Sequence, residues 1–157
     1  MYLEALSRIN DADILEESLR SQSNASAILR ILAFEVLLKS AIVLSGQTPK
    51  ATHKYQTLWL ALPGYAQKAI LKFAEDRMPG HTDFADLNKL LSWYQYIFEK
   101  ARYGYEILQD YTTEEQSELM QMWLQDGTRT EDALEQYYPD ELVCLTQGLC
   151  SYIESNL

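Results

Sequence analysis

The residues with the most chemical potential in this sequence are few and widely spaced. Glu35 and Lys39 stand four apart in a strongly apolar stretch, so on a helix they share a face one turn apart. Glu35 falls inside the stripe formed by Ile28, Ile31, Leu38 and Ile42. A carboxylate there must be paired or protonated, and Lys39 is its nearest partner. The two histidines, His53 and His81, fall in different loops or caps, and no HxxxH, HExxH or CxxC pattern occurs. A metal site would need the fold to bring both histidines together with carboxylates, so the expectation is no metal and no cofactor. The six glycines are isolated, which argues against a phosphate-cradling loop. Nothing marks a serine or cysteine as an activated nucleophile, and no residue is assigned a catalytic role.

A second group lies later in the chain. Arg102 stands between Glu99 and Glu106, which reads either as a local surface ion network or as a functional arginine. Trp93, Tyr94, Tyr96, Phe98, Tyr103 and Tyr105 form an aromatic cluster. Helical spacing sends Tyr94, Phe98 and Tyr105 toward a core. It sends Trp93, Tyr96 and Tyr103 to a neighbouring face, available to a second helix, a partner chain or a ligand.

These residues need helices to hold them, and the sequence supplies helical signals throughout. Segment 2–22 is amphipathic through Leu3, Leu6, Ile9, Ile14, Leu15 and Leu19, with a break expected at Asn10-Asp11. Segment 25–45 is apolar almost all round and reads as the central helix, stopped by Gly46 and Pro49. Thr52 is placed to cap a short helix to Leu62, and Pro63 opens another to about Arg77. Asp83 is placed to cap a long helix whose seam is Phe84, Leu87, Leu91, Tyr94, Phe98, Ala101, Tyr105 and Leu108, backed by a polar stripe that includes Asn88, Ser92 and Gln95. Thr112 and Glu115 form a capping box, Thr128 and Glu131 open a further helix, and Pro139 to Glu154 reads as the last. No segment alternates with period two. The expectation is an all-α, up-down bundle of four to five main helices plus short ones, with 1–157 forming a single domain.

Composition narrows the function classes. A chain of 157 residues can bury roughly 70% of its unfolded surface without disulfides or metals. Its net charge of −10 argues against broad binding to nucleic acid or anionic membrane, without excluding a local basic pocket. Cys144 and Cys150, six apart, point about 120° apart on one helix, so they cannot bridge locally and read as buried free thiols. That suits a reducing compartment, and Met1-Tyr2-Leu3-Glu4 opens no leader pattern, so a cytoplasmic protein is expected. Arg30, Glu35 and Lys39 interrupt the longest apolar stretch, so no membrane span is expected.

Taken together, Ala33-Phe34-Glu35-Val36-Leu37-Leu38-Lys39-Ser40-Ala41, then Gly46, Pro49, Thr52-His53-Lys54-Tyr55, Leu58 and Leu62-Pro63, resemble the first half of a HEPN domain. Phe98-Glu99-Lys100-Ala101-Arg102-Tyr103-Gly104-Tyr105-Glu106 is similar to that family's arginine- and tyrosine-bearing helix. The resemblance covers roughly residues 25–108. It implies an up-down bundle, often a homodimer, in a family rich in ribonucleases, toxin–antitoxin pairs and stress or defence components. Family enzymes use an R-x(4–6)-H motif across the dimer. Here the matching positions after Arg102 are Ile107, Leu108 and Gln109, and no histidine follows His81. The resemblance therefore implies a non-catalytic, HEPN-like protein that self-associates or binds a protein partner. The alternative is a ribonuclease or nucleotide-binding protein using Arg102, with Tyr103 and Glu106 nearby and His53 supplied from elsewhere in the fold. Binding candidates are thus Arg102, Tyr103, Glu106, Trp93, Tyr96, His53, Glu35 and Lys39.

Overall fold

A helix that is apolar around most of its circumference must be surrounded, and the fold is arranged to do that. The computed structural model describes residues 1–19, 24–78, 83–100, 112–115 and 138–157. The central helix, α2 (Asn24–Leu44), packs against α1 (Tyr2–Leu19), α3 (Tyr55–Ala61), α5 (Leu87–Lys100) and α6 (Pro139–Glu154). A further helix, α4 (Gly64–Arg77), lies on α6. Among the described residues there is no strand, so the all-α helical bundle expected from the periodicity is what forms. No described helix is long and apolar enough to cross a membrane.

The core runs along α2. Phe34 is fully buried with its ring 6.1 Å from Tyr55 and 6.0 Å from Tyr94, the latter edge-on. Each such pair adds about 1 kcal/mol beyond the burial itself. Tyr94 donates its hydroxyl to the carbonyl of Tyr138 at 3.0 Å, tying α5 to the chain entering α6. Leu91, Tyr94 and Phe98 bury the seam read from the sequence, and Leu90 and Ile97 widen it.

Several boundaries differ from the sequence reading, each for a local reason. Asn10-Asp11 do not break α1, which runs unbroken from Tyr2 to Leu19. Both side chains face solvent, where their weak propensity costs only a few tenths of a kcal/mol. The buried row of α1 is also narrower than expected. Leu3 and Ile14 are exposed, while Ala5 and Ala12 are fully buried and Ile9 is partly buried against the core. Small residues seven apart let α1 approach α2 closely, but they bury little apolar area. Polar clamps supplement them. Arg30 on α2 donates from Nη2 to Asp13 and to Glu16, both at 2.7 Å, and from Nε to Glu16 at 3.1 Å. Those hydrogen bonds hold the Glu16 carboxyl below its ordinary value. Tyr2 donates its hydroxyl to Glu154 at the other end of the helix.

The expected cap at Asp83 instead opens a 3₁₀ turn, Asp83–Asp86. Asp86 is the cap of α5, accepting the Lys89 N–H at 3.1 Å. Thr52 likewise accepts the Lys54 N–H at 3.1 Å in a turn ahead of α3, whose own cap position is Lys54. Pro63 precedes α4 as expected. The Thr112–Glu115 capping box is formed reciprocally, with Thr112 N–H donating to Glu115 at 2.7 Å and Glu115 N–H to the Thr112 hydroxyl at 3.3 Å. The helices expected to follow it, to about Gln125 and from Thr128, lie outside the described residues, as do Ala101, Tyr105 and Leu108. Both cysteines are free on α6, with Cys144 buried and Cys150 partly so. Burial raises both thiols above their ordinary value, as expected of packing residues.

Among the described glycines, Gly148 alone sits where an added side chain would meet a neighbouring helix. A Cβ on Gly148 would sit 2.7 Å from the Ile70 carbonyl oxygen. Alanine gains about 1 kcal/mol of helix propensity over glycine. A clash with backbone cannot be relieved by a rotamer change, and overpacking costs about 1–3 kcal/mol. Gly148→Ala should therefore lower the urea midpoint. An unchanged or higher midpoint would show that α4 and α6 separate freely.

Candidate functional site

The site grows from the end of α2. Gly46 has φ of +76°, the left-handed conformation that suits glycine after a helix. The Gly46 N–H donates to the Val43 carbonyl at 2.9 Å and the Gln47 N–H to Ile42 at 3.1 Å. That pair of bonds is a Schellman stop, which turns the chain back along the helix it has left. Gly46 lies 11 residues beyond Glu35, or about 16 Å of helix. The seven residues from Gly46 to His53 reach about 23 Å when extended, enough to bring His53 back beside Glu35. A turn fixes its backbone there, with the Thr52 N–H donating to the Lys50 carbonyl at 2.9 Å.

The result is a carboxylate shared by two donors. Glu35 is 3% exposed. Lys39 donates from Nζ to Oε1 at 2.7 Å. His53 Nδ1 lies 2.9 Å from Oε2 and 3.1 Å from Oε1. A carboxylate only accepts, so Nδ1 carries the proton, and Nε2 of the neutral ring is left as a base. Meanwhile the His53 side chain is 61% exposed, and its ring lies 5.3 Å from Phe98 at a 32° tilt. A buried acid thus orients an imidazole that solvent or a ligand can reach. Such a pair can take and return a proton, or hold an anion through His53 and Lys39 together.

Glu35, Lys39 and His53 therefore come together, and Lys39 is the partner that helical spacing identified. Trp93 and Tyr96 do not join them. They pack edge to face at 5.4 Å on a flank of α5, between its buried row and its polar stripe. Arg102, Tyr103, Glu106 and His81 lie outside the described residues. Among the described residues no group of three histidine, cysteine or acidic side chains could hold a metal.

Two features escaped the sequence reading. Gln56 on α3 donates to the Asn88 carbonyl at 3.2 Å and the Ser92 hydroxyl at 2.8 Å. This engages the polar stripe of α5 and fixes α3 against it, just beyond His53. The second is electrostatic. Residues 36–74 contain none of the 23 acidic residues but five of the 13 basic ones, among them Lys50 and Lys54 beside His53. Counting charge by segment rather than over the whole chain would have found it.

The geometry fixes a tautomer that can be tested. In nitrogen-15 NMR of the neutral imidazole, wild-type His53 should carry its proton on Nδ1. In Glu35→Ala the preference should relax toward Nε2, because the acceptor that selects Nδ1 is gone. The same tautomer in both proteins would break the link between the two residues. No protein-family model, curated protein or solved structure matches this chain.

Proposed function

We propose that this chain is a HEPN-like helical protein that acts by binding, through self-association or a protein partner, in a toxin–antitoxin, stress or defence setting. The observation that carries the reading is the Trp93–Tyr96 pair. Two large aromatic side chains stand together on a flank of α5 outside its buried row, and Tyr96 is exposed there. Tyrosine and tryptophan supply much contact area at little entropic cost, and they dominate binding hot spots. The acidity of the chain and the absence of any histidine after Arg102 support binding over turnover.

Light scattering across a concentration series tests this reading. The wild-type protein should run as a dimer at micromolar concentration. Trp93→Ala with Tyr96→Ala should weaken association by roughly 2 kcal/mol or more, the usual cost of losing hot-spot residues. A strict monomer over the whole range would remove self-association and leave only a different protein as partner.

One observation favours a second reading, a HEPN-type ribonuclease or nucleotide-binding protein using Arg102. His53, oriented by Glu35, stacks on Phe98, and Phe98 precedes Arg102 by four residues in sequence. In this reading His53 supplies the proton-transfer group and Arg102 contacts the phosphate. Cleavage of a single-stranded RNA should then fall about 10²- to 10⁴-fold in His53→Ala, and nucleotide binding should fall in Arg102→Ala. Absence of both activities in the wild-type protein would dispose of it.

A further inference from the structure

Helices α1 and α6 both pack on α2, and a cavity of about 430 Å³ lies between them. Polar ties join the helices around it. Tyr2 on α1 donates to Glu154 on α6, and Arg30 on α2 holds Asp13 and Glu16 on α1. Leu6 and Ile9 of α1 and Leu142 and Val143 of α6 give the cavity aliphatic walls. Steps of three and four put the lining of each helix on one face, from Leu6 through Ile9 to Asp13 and from Val143 through Thr146 to Cys150. The volume falls in the range of small-molecule sites, which are mostly apolar with a few placed polar groups.

The polar part of the lining selects among head groups. Its two charged side chains, Asp13 and Arg30, are already partners at 2.7 Å, and Glu16 accepts from two nitrogens of the same guanidinium. A ligand carboxylate would have to share Arg30 with two acids. A ligand ammonium would have to share Asp13 with Arg30. Either would also give up its own hydration. Thr146 is different. It lines the cavity, is 8% exposed, and shares no hydrogen bond with any described residue. Its hydroxyl can both donate and accept, and leaving such a group buried without a partner is costly. Gln147, the next residue, is exposed and adds an amide that can do both as well. Burial pushes the Cys150 thiol up, so it lines the cavity as an uncharged sulfhydryl.

We infer that the cavity between α1 and α6 binds a small uncharged amphiphile, its aliphatic body among Leu6, Ile9, Leu142 and Val143 and its hydroxyl or amide head hydrogen-bonded to Thr146. The walls reward burial of the body. Thr146 rewards a head that can donate or accept, and a pure hydrocarbon would leave that hydroxyl unpaired. A flat aromatic body fits less well, because no aromatic side chain is in the lining to stack on it. The site uses neither the Glu35–Lys39–His53 group nor the Trp93–Tyr96 pair, so it stands or falls apart from both.

The test titrates the full chain with 1-octanol at neutral pH and follows its methyl resonances by carbon-13 NMR. Octanoate and octylamine serve as charged probes of matched length. Saturable shifts confined to the lining methyls, those of Leu6, Ile9, Leu142 and Val143, are expected with 1-octanol. The two charged probes should bind roughly tenfold or more weakly. Thr146→Val keeps the side-chain shape and should weaken 1-octanol roughly three- to tenfold, the worth of one hydrogen bond. Val143→Trp fills the cavity and should abolish the saturable shifts at Ile9 and Leu142. Val143 is partly exposed, and circular dichroism melts that match wild type confirm that both variants fold. No saturation by 1-octanol, or shifts spread evenly over the surface, overturns the inference. So does equal or tighter binding of either charged probe, or a 1-octanol affinity unchanged in either folded variant.

Discussion

A carboxylate buried in the middle of the most apolar helix sets the terms for the structure around it. Left bare, Glu35 would cost several kcal/mol. Lys39 arrives at once because it is four residues along the same helix. The second donor has to be carried in by the chain. That requires α2 to stop where it does, Gly46 to accept a left-handed φ, and the loop to run back along the helix and seat His53 against Phe98. The position of α3 follows, since it begins at Tyr55, two residues later, and Gln56 then fixes it to α5. One buried charge thus coordinates a helix stop, a loop path and the docking of two further helices.

What was legible in the sequence follows from how local each signal is. The extents of α2, α4 and α6 were readable because apolar runs and Gly or Pro punctuation are carried by the segments themselves. The Glu35–Lys39 pair was readable for the same reason. His53 was not, because it lies 18 residues from Glu35 and its approach depends on a loop with no periodicity. In α1 the error had a different source. Periodicity weights large apolar residues, so Leu3 and Ile14 looked buried. Close helix packing selected Ala5 and Ala12 instead, which a hydrophobic pattern scarcely registers. Asp83 and Asp86 are equally good caps by residue type, and only the 3₁₀ turn between them decides which one starts α5.

The same helix, α5, separates two kinds of surface. Its inward row of Leu91, Tyr94 and Phe98 joins the core, and Phe98 extends that row to the underside of the His53 ring. A flank beside that row carries Trp93 and Tyr96. Binding at one face need not disturb the other directly, but both rest on how α5 seats against α2. Charge divides the chain along a different line. The net −10 is a sum over an acid-free basic segment and a strongly acidic remainder. Net charge describes the solubility of the whole, whereas a partner meets only one surface of it.

Stability alone does not account for the Glu35–Lys39–His53 arrangement. Replacing a buried ion pair by apolar residues of similar volume is often neutral or stabilising. A leucine at position 35 would suit a helix whose neighbours Phe34, Leu37 and Leu38 are all fully buried. It would also free the loop from having to return His53. The arrangement instead places the acid where water is excluded and the imidazole where it is not. A group that served only to fill the core would have no need of a partner 61% exposed. What the arrangement leaves is an imidazole within reach of solvent whose ring Glu35 holds in place.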